Sequence, residues 1–293
     1  MAKKLDDNHK IISRTISCNE IIDKLEELSP KQYACEWDNV GLLLGTRDRE
    51  VNRVMVALDA TMEVVKVACD EKCDMLITHH PLIFSSVKKI TDETVLGKKL
   101  LLLAQNGISY YAMHTNFDTV GSMTHAVADV FLGFDSKEPI EECDLPEEGM
   151  GRIAILPKPM TSDEVCEYIK EHLELSQVTY YPATPDGEEI PADKVFDKIA
   201  IMPGSGKSFI NKVAAMGCEL YLTGDIGYHE AQNAAELGVS IIDATHDGLE
   251  KVFARYIADV LKCNFPLTDT KDNSGTVKES KIPYSIILQK VDN

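Results

Sequence analysis

The hydrophobic pattern changes period in an orderly way along the first half of the chain. Residues 51–58 are rich in β-branched side chains and stop at Asp59, as a strand would. Thr61 then precedes hydrophobic positions at helical spacing over 62–72, where it suits a helix N-cap. The same reading predicts a strand over 73–78, a helix over 94–106 closed by Gly107, and a strand over 108–113. A helix over 122–132, stopped near Gly133, completes the series, and another over 17–28 precedes it. A βαβαβα order implies a parallel sheet with right-handed crossovers.

The pattern then breaks. Residues 135–149 are acidic, contain Pro139 and Pro146 and show little periodicity, so they read as a linker. A second unit follows, with strands predicted over 152–156, 178–181, 198–202, 219–222 and 239–244. Helices are predicted over 162–173, 209–216, 229–237 and 249–261. The tail over 268–281 is polar, and 284–288 can add one more strand.

Metal-ligand side chains sit where these strands end. Thr78-His79-His80-Pro81 closes the second strand, and His114-Thr115-Asn116-Phe117-Asp118 closes the third. Far downstream, His246-Asp247-Gly248-Leu249-Glu250 follows the run 239–244. Histidine and carboxylate at three strand ends is the composition of a site for one or two divalent metals. In open α/β sheets those ends are where ligands bind. Adjacent residues on a regular strand face opposite ways, so His79 and His80 can both ligate only where pairing stops. Pro81 stops it. Asp118 is either a ligand or a helix N-cap. His246 and Glu250 stand one helical turn apart, so one helix face can carry both.

Other residues stay open between a site role and a plain one. His114 can be a ligand, a supporting residue or a substrate contact, and the last two suit it better. Asp59 can orient a ligand histidine. Asp38, in Glu36-Trp37-Asp38-Asn39-Val40-Gly41, is a turn residue or a site residue. His229 is a proton donor or a helix cap. Pro203-Gly204-Ser205-Gly206-Lys207-Ser208 mimics a phosphate-binding loop, but Ile201 stands where such a loop needs its first glycine. A tight glycine turn that can offer amides to one anion is the better reading.

If His246 and Glu250 join the upstream ligands, the chain must return to the first unit. The expected architecture is therefore two apposed α/β lobes with mainly parallel sheets flanked by helices, and the metal site in the cleft between them. Its parts would be an N-terminal extension over 1–16, a first lobe over 17–134 plus 240–264, a second lobe over 135–239, and a tail over 265–293.

Composition narrows the partners. With 293 residues and a formal charge of −18, the chain lacks the basic surface that nucleic acid requires. No apolar run approaches the ~20 residues of a membrane span. The polar start, Met1 to Lys10, has no secretory apolar core, so a cytoplasmic location is expected. The eight cysteines include no CxxC and are expected to be reduced there. Cys69 and Cys73 read as buried thiols on one helix rather than as a metal or redox pair.

Taken in order, Trp37-Asp38-Asn39-Val40-Gly41, Leu58-Asp59-Ala60-Thr61, Thr78-His79-His80-Pro81-Leu82, His114 to Asp118, Gly224-Asp225 with His229, and His246 with Glu250 resemble the motifs of the Nif-three-like family. Its members are often labelled GTP cyclohydrolase I type 2 homologs. The resemblance runs from about Ser17 to Leu261. It implies two similar α/β lobes, a toroidal homohexamer and a dinuclear metal centre. The ligand set carries over onto His79, His80, Asp118, His246 and Glu250. One departure is visible: many members have Gly-His where this chain has Thr245-His246.

The expected function is a metal-dependent hydrolase acting on a small molecule. The two divalent ions would be zinc, iron, manganese, cobalt or nickel. If the family label describes the chemistry, metal-bound hydroxide would open the imidazole ring of a purine, with His114 or His229 transferring protons. A phosphate ester or amide suits the same ligands. The contrasting reading is a non-enzymatic metal-binding scaffold or regulatory interaction protein.

Overall fold

The computed structural model describes residues 15–121, 123–269 and 284–291. Twelve strands form two six-stranded sheets. The first sheet contains β1 (Gly41–Leu44), β2 (Arg53–Ala57), β3 (Met75–Thr78), β4 (Ser109–Ala112), β11 (Leu267–Asp269) and β12 (Ser285–Lys290). The second contains β5 (Asp135–Glu142), β6 (Gly149–Thr161), β7 (Thr179–Tyr181), β8 (Val195–Ser205), β9 (Leu220–Gly224) and β10 (Ser240–Asp243).

Their orders, β1-β4-β3-β2-β12-β11 and β7-β10-β9-β8-β6-β5, repeat one plan. In each sheet three central strands run parallel, with one antiparallel strand on one side and two on the other. The sheets are therefore mixed, not mainly parallel. The parallel triplets are the strands that helical crossovers join, as the hydrophobic pattern requires.

The described residues divide into two compact units, one formed by 15–116 with 253–269 and 284–291 and one lying within 117–252. This corrects the expected partition. Strand β10 pairs with β9 and β7 in the second sheet, so 240–243 does not belong to the first lobe. Residues 135–142 are no linker but the edge strand β5. Their acidity and Pro139 suit an edge, where charge and proline block pairing with other chains. Strands β1 and β11 are also short edge elements that periodicity did not register. Residues 1–14, Ser122 and 270–281, which fall in the expected N-terminal extension, third helix and polar tail, lie outside the described residues.

Each lobe has its own core. In the first, Val64, Val65 and Ala68 of helix Met62–Asp70 and Leu103 of helix Val95–Gln105 pack on Met55, Leu76 and Tyr110. In the second, Ile210, Val213 and Ala234 pack on Ile153, Ala200, Tyr221 and Ile241. Cys73 lies in the first core, beyond the end of the helix that carries Cys69. Among the described residues no helix is long and apolar enough to cross a membrane.

These cores fix what matters for chemistry. Because β2, β3 and β4 are parallel, their C-terminal ends share one sheet edge. That edge carries Asp59, His79, His80 and His114. In the second lobe β8, β9 and β10 likewise bring Gly204, Asp225 and His246 to one edge.

Candidate metal centre

In the first lobe β3 ends at Thr78 and the next two residues are the paired histidines. The strand end is tied down at several points. The His80 amide donates to the Leu58 carbonyl at 3.1 Å. The Thr78 and Tyr110 hydroxyls both donate to the His80 carbonyl, at 2.8 and 3.1 Å. The Leu82 amide donates to the Tyr110 oxygen at 2.7 Å. Burial pushes the Tyr110 phenol well above its ordinary pKa, so it stays neutral and keeps its proton for these bonds.

His79 is fully buried and His80 half-buried, as opposite faces of a strand end require. Together with His114 they form a cluster of imidazoles whose available ligand atoms lie within 4.8 Å of one another. Ring centroids are 5.0 Å apart for His79 and His80, 5.2 Å for His79 and His114, and 5.6 Å for His80 and His114.

Each ring is oriented through its Nδ1. That of His79 donates to the Met113 carbonyl at 2.7 Å. The His80 nitrogen meets Asp59 Oδ1 at 2.8 Å, the supporting role expected of Asp59. His114 Nδ1 lies 3.0 Å from both Asp38 oxygens. In the second lobe His246 Nδ1 meets Asp225 Oδ2 at 2.9 Å. With an oxygen acceptor at Nδ1, each neutral imidazole takes the Nδ1–H tautomer and presents its Nε2 lone pair. That is how metal-ligating histidines are oriented.

The two acid–histidine pairs also share a topology. Asp59 follows β2, the parallel neighbour of the strand that leads to His80. Asp225 follows β9, the parallel neighbour of the strand that leads to His246. The role of Asp225 went unread because only strand adjacency reveals it. Asp38 stands against the imidazole cluster through His114. It accepts from the Thr115 amide at 3.0 Å and the Thr115 hydroxyl at 2.6 Å as well as from His114. Burial acts to raise its pKa, but the bonds from His114 and Thr115 outweigh it and hold the carboxyl at about 2.

The second lobe places Glu250 against His246, with Oε2 3.0 Å from Nε2. Both lie on the short helix His246–Glu250, and the Glu250 side chain is only 4% exposed. Gly204 explains how a carboxylate fits there. A Cβ at Gly204 would lie 2.5 Å from Glu250 Oε1 and 3.6 Å from His246 Nε2. Gly206 donates its amide to Thr223 Oγ1 at 2.9 Å. The glycine-rich segment therefore makes room for a carboxylate, and the Gly206 amide is already engaged. Asp118 lies in the first turn of helix Thr115–Thr119, inside the helix rather than at its cap. His229 is exposed near the start of helix Tyr228–Glu236, whose N-cap is Gly227.

Comparisons with known proteins show the family. The family described as Duf34/NIF3 (NGG1p interacting factor 3) matches residues 16–276. The chain belongs to the DUF34/NIF3 family. A Clostridium acetobutylicum relative named "GTP cyclohydrolase 1 type 2 homolog" is 34% identical over 239 residues, covering 80% of this chain and 86% of its own. "Reduced HcgD from Methanocaldococcus jannaschii" has a similar structure, with TM-score 0.71 and 30% identity over 87% of this chain and 96% of that one. A Bacillus cereus protein related to NIF3 shares the fold, with TM-score 0.75 and 24% identity over 86% of this chain and 94% of that one.

Thr245 carries a strained backbone. It sits at φ 61° and ψ 157°, a region almost reserved for glycine. In return its hydroxyl caps the His246 helix, accepting from the Gly248 amide at 3.1 Å. The balance gives a prediction with opposite signs. Thr245→Ala keeps the strain and loses the cap, and should cost about 1 kcal/mol. Thr245→Gly loses the cap and adds chain entropy, but relieves ~1–3 kcal/mol of strain, so it should be neutral to stabilising by about 1 kcal/mol. Thermal unfolding of the two variants checks the order. A glycine variant less stable than the alanine variant would refute the strain.

Proposed function

We propose that this protein is a dinuclear metal-dependent hydrolase whose ligands are His79, His80, Asp118, His246 and Glu250. The carrying observation is the set of imidazoles locked through Nδ1 onto oxygen acceptors at equivalent sheet edges. Nitrogen and carboxylate donors of this kind suit zinc, iron, manganese, cobalt or nickel. Chain connectivity supports grouping the two carboxylates with the imidazoles. Asp118 comes four residues after His114, and Glu250 comes three residues before Phe253. The Phe253 ring packs 5.2 Å from that of His79. Three residues span at most ~11 Å and four at most ~14 Å, a short tether for each carboxylate.

Two bound divalent ions would lower the pKa of water and polarise an electrophilic substrate atom. The chain's own residues orient and move protons around them. Asp38 holds the His114 ring, leaving its Nε2 for proton transfer to or from substrate. His229 is the second candidate. The name borne by the relatives suggests opening of a purine imidazole ring. The family resemblance further suggests a homohexamer.

Metal removal tests the reading. Purified protein is expected to hold two metal equivalents, and chelator is expected to abolish hydrolysis that metal then restores. The assay would offer guanosine triphosphate, a phosphate ester and an amide. Two bound metals with no chelator-sensitive turnover of any of them would favour the scaffold reading.

A further inference from the structure

The first lobe carries two exposed aromatic rings beside its imidazole cluster. Trp37, the single tryptophan of the chain, is 59% exposed, and Phe84 is 54% exposed. Their ring centroids are 5.7 Å apart with a tilt of 34°. Both lie against His114, with centroids at 6.0 Å for Trp37 and 6.3 Å for Phe84. The other large aromatic side chains of this region, Tyr110 and Tyr111, are fully buried.

Hydrogen bonds brace the pair from behind. Asp38, next to Trp37, is fixed by His114 and Thr115. Asn39 donates its side-chain amide to the Ile83 carbonyl at 2.6 Å, joining the Trp37 loop to the Phe84 loop across 44 positions. One network therefore sets the imidazole and both rings. Adjacent exposed apolar rings form a patch of the kind that ligand-binding grooves carry.

The geometry points to Trp37 and Phe84 as a stacking platform that holds a planar nitrogen heterocycle of the substrate beside His114. This rests on the hydrolase reading and deepens it by naming the residues that would hold the substrate's ring. A heteroaromatic ring is favoured over a second copy of the chain because the platform is built into the support of His114, a group suited to chemistry. A π-face suits any base, so the platform would select for a planar ring rather than for one particular heterocycle.

The lone tryptophan is its own reporter. Metal-loaded protein would be titrated with guanosine monophosphate or with ribose 5-phosphate, which lacks the ring, while Trp37 fluorescence is followed. Saturable quenching by the nucleotide and none by the sugar phosphate is expected. Phe84→Ala should weaken nucleotide binding about tenfold and Phe84→Tyr should restore it. Trp37→Ala, followed by calorimetry, should weaken it similarly at unchanged metal content. Quenching that is absent, or equal for both probes, overturns the platform. Sedimentation decides the competing occupant: loss of oligomer in Phe84→Ala without any ring-dependent quenching assigns the patch to a second copy and overturns the proposal. Metal content and chelator-sensitive turnover are measured on the same samples. A failed platform with intact metal chemistry, and a failed hydrolase with intact nucleotide binding, are thus separate results.

Discussion

Replacing Glu250 by glutamine is expected to strip metal from the protein while leaving the fold in place. The substitution keeps the volume of a nearly buried side chain and removes its charge. A neutral amide is a poor ligand for two dications, whereas a carboxylate offers two anionic oxygens. Changes to groups that merely orient ligands cost about 10–100-fold in metal affinity or activity, and a direct ligand should cost at least as much. Glu189→Gln, on an exposed loop, is the control. Metal analysis, melting temperature and hydrolytic rate would be compared. Two metals and full activity in Glu250→Gln would remove Glu250 from the centre. Global unfolding would instead mean that the metals serve the fold.

The second large effect is expected from a single methyl group. Gly204→Ala places a Cβ 2.5 Å from Glu250 Oε1 at a backbone φ of +70°. Left-handed backbone alone costs alanine ~1–2 kcal/mol. Gly187→Ala carries that same cost, since φ there is +83°, but nothing lies within 4 Å of its Cβ. Gly204→Ala should therefore lose at least as much stability as Gly187→Ala, while only Gly204→Ala displaces the carboxylate and loses metal. Equal metal content in both would show that Gly204 serves the turn and not the site.

Much of the local structure was legible from the chain. Thr61 caps its helix as read, accepting from the Val64 amide, because a short hydroxyl before a periodic apolar run has few other uses. The parallel triplet β2, β3 and β4 followed from hydrophobic period, and with it the placement of His79, His80 and His114 at one edge. Strands that violate the apolar pattern escaped. The acidic β5 is an edge strand, where exposure removes the alternation that reading relies on.

The sequence by itself determined that side chains of metal-ligand type follow strands, because residue type and hydrophobic period are local properties. Only the tertiary structure decided how those side chains are held. Asp59 reaches His80 and Asp225 reaches His246 because parallel neighbours set their ends side by side. Asp38 reaches His114 across 76 positions, a distance no spacing rule spans. The role of Gly204, too, is visible only when a carboxylate from 46 positions downstream lies against its Cα. Such pairings depend on strand order and close packing, which arise from the whole fold and are written in no single segment.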